Sequence, residues 1–210
     1  MSESMTQAQQ VYVYLRDAIC NCRYMPGQEL SEKQLFEEMD YGRTPIREAL
    51  VQLQREELVE IFPRQGMRVT PFSEELVSNI YQTRKLIEPS VAASYCPLYS
   101  KNKLLAYRKS LIGSAAESDA AFYSLDIDFH TYLVSVANNR RLTTIFTDLM
   151  WHQYRLAMYA ALQKKTQREQ NDEEHERILR ALLSEDRDEI SSSITSHINT
   201  SMIALMEAVR

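Results

Sequence analysis

From Ser114 to Arg210 this chain contains neither glycine nor proline. Seven of its ten glycines and prolines (Pro26, Gly27, Gly42, Pro45, Pro63, Gly66 and Pro71) fall within residues 1–71, and only Pro89, Pro97 and Gly113 follow. These two residue types end helices most strongly. Their distribution predicts a mostly α protein, with a short, turn-rich domain at 1–71 and an all-helical bundle at 72–210. The join is expected at Thr70-Pro71-Phe72-Ser73, where a proline precedes a serine able to cap the next helix. A hydrophobic share of 44% can fill two cores, while no apolar run approaches the ~18 residues of a membrane span. The polar start, MSESMTQAQQ, lacks the order of a signal peptide, so a cytoplasmic protein with no membrane association is expected. Three cysteines (Cys20, Cys22, Cys96) without a CxxC pair read as reduced, helix-borne thiols.

A net charge of −5 argues against a nonspecific polyanion binder but leaves room for a local basic face. In the first domain, Val11, Leu15, Ala18 and Ile19 keep helical spacing, predicting a helix from Gln9 to Arg23. Ser31 is placed to cap a second helix through Met39, with Gln34 completing a capping box. Tyr41-Gly42-Arg43 reads as a turn using glycine's freedom in φ, and Thr44-Pro45 as N-cap and first residue of a third helix buried through Ile46, Ala49, Leu50, Leu53 and Leu58. Val59–Phe62 and Met67–Thr70, joined by Pro63-Arg64-Gln65-Gly66, suit a small hairpin. Three helices and a hairpin make a winged helix-turn-helix. Arg43, Thr44 and Arg47 then stand at the end of the third helix that enters a DNA major groove, where arginine can read guanine through two hydrogen bonds. Arg64 and Gly66 occupy the hairpin tip, and Lys33 joins them from the second helix as a candidate contact to double-stranded operator DNA.

The segment PGQELSEKQLFEEMDYGRTPIREALVQLQREELVEIFPRQGMRV resembles the DNA-binding domain of the GntR superfamily of bacterial repressors. The matching pieces are Pro26-Gly27, Leu30-Ser31-Glu32, Leu35, the block from Arg43 to Leu50, Leu53, Leu58-Val59 and Arg64-Gln65-Gly66. The resemblance implies that Arg43, Thr44, Arg47 and the wing tip contact an operator. Two departures stand out. Gly42 replaces the family's usual serine and so removes a hydroxyl donor to phosphate. Glu57 replaces a common glycine, which tightens or shifts the start of the wing.

The second domain carries all four histidines: His130, His152, His175 and His197. Asp126 and His130 lie four apart, on one helical face, whereas Asp128 points elsewhere. His175 sits in a helix starting near Asn171, and His197 beside the apolar face of the last helix, where an unpaired ring would be costly. Asp126 with three imidazoles from three helices would make a compact site for a divalent metal, zinc first, nickel or another transition metal otherwise. The bland alternative is a surface Asp/His pair and satisfied core histidines.

The run Asp-x-x-Phe-His, then Ala-Asn-Asn at 137–139, Glu-His-x-x-Ile-Leu and a final histidine is similar to the FCD effector domain of the FadR-type branch. That resemblance implies a metal on Asp126, His130, His175 and His197, leaves His152 structural, and implies that Arg84 faces an effector cavity. An arginine beside a metal could grip a small organic acid at both ends. Arg84 also stands one turn before Glu88, and a salt bridge between them is the alternative. Pro89 is expected to kink its helix. The leading expectation is a ligand-responsive repressor acting as a homodimer. A metal-dependent hydrolase and a structural-metal dimerisation module remain open beside it.

Overall fold

The computed structural model describes residues 5–112, 118–163 and 168–210, the side chains of 168–170 excepted. Gly113 lies outside the described residues. The chain divides into two units, Met1–Phe72 and Ser73–Arg210.

In the first unit, α1 (Gln7–Cys20) is followed by β1 (Glu29–Leu30), α2 (Glu32–Glu38), α3 (Arg43–Arg55), β2 (Val59–Phe62) and β3 (Gly66–Val69). Thr6 begins α1 with a full capping box: its hydroxyl accepts from the Gln9 amide while the Gln9 side chain accepts from the Thr6 amide. Ser31 caps α2, but the expected reciprocal contact is missing because Gln34 donates to Glu38 instead. The core gathers Val11, Leu15 and Ile19 of α1, Leu35 of α2, Ile46, Leu50 and Leu53 of α3, and Met67 and Val69 of β3.

Three local expectations are corrected. Gly42, not Thr44, is the N-cap of α3, so Thr44 and Pro45 are its second and third residues. Proline is tolerated there because first-turn amides have no helical acceptor. Gly42 has φ −68°, so the turn makes no use of glycine's left-handed region. The hairpin gains a third strand: β1 pairs antiparallel with β3, giving the order β1-β3-β2. Gly66 starts β3 at φ +109°, a conformation that L side chains rarely adopt, while its distance from the Leu30 carbonyl oxygen would leave a Cβ in ordinary contact.

α3 ends without a glycine. Glu57 takes φ +56°, the Leu58 amide donates to the Leu53 carbonyl and the Glu57 amide to that of Gln54. That is a Schellman stop, with Leu53 and Leu58 packed in the core.

The second unit comprises α4 (Glu74–Ser94), a short 3-10 turn at Cys96–Leu98, α5 (Lys101–Leu111), α6 (Asp119–Ser135), α7 (Arg140–Leu162), α8 (Arg168–Ser184) and α9 (Arg187–Val209). Ser73, Ser100, Ser118, Asn139 and Asp186 each cap a helix through a side-chain oxygen. α4 packs on α9, α6 on α7, and α8 on both α5 and α9. α6 buries residues on most of its circumference, including Phe122, Ile127, Phe129, Leu133 and Val134. Its polar residues at buried positions must therefore find partners inside the bundle. α4 passes through Pro89 as one helix, which forgoes one backbone donor.

Candidate functional site

In the first unit the exposed side of α3 carries Arg43, Thr44 and Arg47. The Arg47 guanidinium holds Glu32 of α2 in a forked contact, Nη2 at 2.8 Å and Nε at 3.1 Å from Oε2. The Arg43 guanidinium lies 5.7 Å from the centre of the Phe36 ring. Lys33 is exposed, with Glu37 at 3.7 Å. Arg68 is spent on Glu60, its cross-strand partner.

At the wing tip the Gln65 amide donates to the Phe62 carbonyl at 3.0 Å, closing a turn with Pro63 second and Arg64 third at φ +65°. Third place in such a turn favours glycine or asparagine. An exposed arginine held there costs on the order of 1 kcal/mol of backbone strain, the kind of cost that accumulates at functional sites.

In the second unit, α6, α8 and α9 bring four side chains to one point. Asp126, His130, His175 and His197 each offer a ligand atom, and all four atoms lie within 4.8 Å of one another. The Asp126 Oδ1 is 3.0 Å from His175 Nε2 and 3.7 Å from His130 Nε2, and the two Nε2 atoms are 3.4 Å apart. Ligands at 2.0–2.1 Å around a tetrahedral ion are separated by about 3.3 Å, so these edges fit a small divalent ion. All four residues are buried, His130 and His175 with no exposure at all.

The outer nitrogens support the same reading. His130 Nδ1 is bonded to Glu88 Oε1 of α4, and His197 Nδ1 to Glu174 Oε2 at 2.9 Å. A carboxylate partner keeps the proton on Nδ1, so Nε2 carries a lone pair facing inward. Two lone pairs and a carboxylate then converge in a buried place, an arrangement that a cation satisfies. Among the described residues His175 Nδ1 has no hydrogen-bond partner.

The electrostatics follow. Burial would raise the Asp126 pKa, but His130, His175 and His197 outweigh it and hold the carboxyl below its usual range. Burial would likewise raise Glu88, yet Arg84 and His130 hold it at about 2. Burial dominates at His197 and lowers it to about 4, against the contact with Glu174. The ring is therefore neutral and ready to ligate at neutral pH.

Glu88 and Glu174, which hold two of the histidine rings, are residues that sequence reasoning did not bring to the site. Arg84 does form the salt bridge named as its alternative: Nε and Nη2 reach Glu88 Oε2 at 3.1 and 2.9 Å, with both residues fully buried. The guanidinium also lies 5.6 Å from the centre of the Tyr81 ring. His152 is half-buried on α7 and outside the group of four. Asp128 accepts from Tyr107 at 2.5 Å, away from the site.

A small cavity of ≈ 40 Å³ opens beside the cluster, walled by Asp126 and His197 together with Tyr123, Gln153, Asn171, Thr200 and Ser201, and by apolar residues that include Ala157 and Leu205. It has room for a few water molecules. Among the described residues no lysine or arginine lines it, Arg84 included, and the buried Gln153 Oε1 at its wall has no hydrogen-bond partner among them.

Residues 79–200 match the FCD domain family, and residues 7–69 match the family described as bacterial regulatory proteins, gntR family. The chain is 27% identical over 194 residues to the HTH-type transcriptional repressor RspR of Escherichia coli, spanning 90% of this chain and 85% of that protein. It is 28% identical over 214 residues to the Uxu operon regulator of Haemophilus influenzae, spanning 92% and 79%. Among solved structures, a putative transcriptional regulator GntR from Rhodococcus sp. RHA1 superposes with a TM-score of 0.82 at 19% identity, covering 98% of this chain and 100% of that one. Escherichia coli McbR/YncC superposes at 0.79 and 18%, covering 97% and 99%, and these two structures speak to the fold alone. The matched relatives are transcriptional regulators, not enzymes, and no described helix is long and apolar enough to cross a membrane. The chain belongs to the GntR family of DNA-binding transcriptional regulators, with an FCD domain as its helical unit.

Proposed function

We propose that this regulator is a repressor whose hold on operator DNA is controlled by a small carboxylate bound at a divalent metal in the helical unit. One observation carries the proposal: three imidazoles and Asp126 turn their ligand atoms to one buried point, with Glu88 and Glu174 fixing two of the rings from behind. Zinc suits the donor set best, with nickel or another transition metal the next choice. The metal would supply a positive contact for one carboxylate oxygen of the effector. Beside Asp126 the described wall offers hydroxyl and amide groups from Tyr123, Gln153, Asn171, Thr200 and Ser201, which favours a monocarboxylate bearing hydroxyl or amide groups over a second acidic group. Arg84 serves the site through Glu88, which it holds by two hydrogen bonds behind His130.

On the DNA side the reading assigns Arg43, Thr44 and Arg47 to the major groove, Lys33 to the backbone, and Arg64 with Gly66 to the wing contact. A homodimer would set two winged units on half-sites about 34–36 Å apart. Operator binding makes the cytoplasm its place of action. Repression is supported by the name of the RspR relative.

The test combines metal analysis of untagged protein, a thermal-shift screen of organic acids, and electrophoretic mobility shifts on duplexes selected from a random pool. About one metal per chain is expected. A binding acid should stabilise the metal-loaded form alone, by about 2.7 kcal/mol at a hundredfold excess over Kd, and should release DNA. Stabilisation that survives chelation would refute the metal-held effector. Melting on chelation, with no acid binding at any metal content, would leave the metal a structural role.

A further inference from the structure

The two arginines assigned to the groove are each met by a side chain of the preceding helix. Arg43 and Arg47 are one turn apart on α3, and Glu32 and Phe36 are one turn apart on α2. Glu32 grips Arg47 by both Nε and Nη2, and Phe36 lies under Arg43. The pairing is in register, two positions of one helix against two of the next.

We infer that Glu32 is a specificity-determining positioning residue, which orients the Arg47 guanidinium for base readout and withholds it from the phosphate backbone. This inference rests on the assignment of Arg47 to a base edge. An arginine side chain is long and rotamer-rich, so a free Arg47 satisfies any nearby phosphate as readily as a guanine. The contact with Glu32 uses Nε and Nη2, which leaves Nη1 and the outer hydrogens of the fork to face outward. The carboxylate also cancels the guanidinium charge that nonspecific binding would use. Phe36 contributes a platform that keeps Arg43 extended without adding charge. Nothing in this contact is needed for folding: the Arg47 side chain is 60% exposed, and exposed ion pairs add little stability.

The experiment selects binding sites for the full-length protein from a random-sequence duplex pool, then measures Kd for the selected and for a scrambled duplex across a salt series. Wild type, Glu32→Gln, Glu32→Asp and Arg47→Ala are compared, with folding checked by circular dichroism. Glu32→Asp keeps the acidic first turn of α2, should Glu32→Gln loosen that helix, but falls short of the forked contact. Both Glu32 variants are expected to lower the selected-to-scrambled affinity ratio by about tenfold, within the about 5- to 150-fold that a whole bidentate base contact carries. Scrambled DNA should bind as well or better, with a salt slope steeper by up to about 0.9. A positional preference unchanged in both Glu32 variants, while Arg47→Ala loses it, overturns the inference about Glu32. Preference retained in Arg47→Ala overturns instead the base-edge assignment beneath it.

Discussion

Replacing Glu88 by glutamine tests the helical unit at its most exacting point. The Glu88 side chain is fully buried and serves two partners at once, Arg84 through Oε2 and His130 through Oε1. Glutamine keeps the shape and removes the charge. Arg84, also without exposure, then has no counterion in contact. Breaking one side of a buried pair costs about 3–5 kcal/mol, because the remaining charge stays out of water. Asp126 acts on Arg84 at longer range and moderates the loss, so about 3 kcal/mol is expected. For a unit of this size that is a fall in Tm of about 10 °C.

The partner variant is Arg84→Met together with Glu88→Gln. With no buried charge left, most of the loss should return, giving a coupling of at least about 2 kcal/mol between the two sites. Metal binding should not return with it. Both variants lack the carboxylate that fixes the His130 ring, and loss of such a partner weakens metal affinity by about 10- to 100-fold. Urea unfolding of the metal-free protein reads the first effect, and competition with a coloured chelator reads the second. A loss below about 1 kcal/mol for Glu88→Gln, or additive behaviour of the pair, would refute the burial argument. Unchanged metal affinity would refute the orienting role of Glu88.

Other consequences follow from the same geometry. Arg64→Gly should raise the stability of the winged unit by about 0.5–1 kcal/mol by relieving the positive φ, while weakening DNA binding; thermal melts and mobility shifts check both signs. Glu57→Gly should stabilise the same unit by a similar amount with DNA affinity unchanged, since it touches only the stop of α3. His175→Ala should abolish stoichiometric metal by mass spectrometry of the native protein, and chelation of the wild type should lower the melting temperature of the helical unit but leave the winged unit's alone. In the metal-free protein His197, lowered to about 4, binds its proton later than the unfolded chain does at 6.5. The unfolded state therefore holds more protons between these values, and stability should fall as pH drops from 6.5 towards 4. Glu88, held at about 2 against an ordinary 4.5, continues the loss below 4.5. Melting temperatures that stay flat from pH 7 to 4 would contradict the His197 shift, and a flat profile from pH 4.5 to 2 that of Glu88.

The histidines of the site were legible because each sits among apolar neighbours at helical spacing. Ile178, Leu179 and Leu182 mark the inner face of α8, and Ile194 and Ile198 that of α9, so His175 and His197 had to point inward. Asp126 followed from its place one turn before His130. Glu174 was not legible, because it stands in the run Asn171-Asp172-Glu173-Glu174-His175-Glu176, which reads as a solvated acidic face. Only the packing of α8 on α9 turns it towards His197. Glu88 was visible as a helical neighbour of Arg84, but its contact with His130 depends on how α4 meets α6, and one helix's periodicity carries no information about that.

Helix ends show the same division. Starts are written in single side chains, and Ser31, Ser73 and Asp186 cap where a short polar residue precedes an apolar pattern. Stops are not. The chain closes α1, α3 and α8 at Cys22, Glu57 and Glu185, each in the left-handed region with φ between 55° and 59°. In each case two backbone amides return to carbonyls of the last turn. Glycine would make such a stop cheap and visible; here hydrogen bonds and the burial of Ile19, Leu53 and Leu182 in the preceding turn enforce it. That is why the absence of glycine correctly foretold a helical second unit yet gave no sign of where its helices end. Arg64 at the wing tip takes the same left-handed conformation with an exposed side chain, so there no burial offsets the strain.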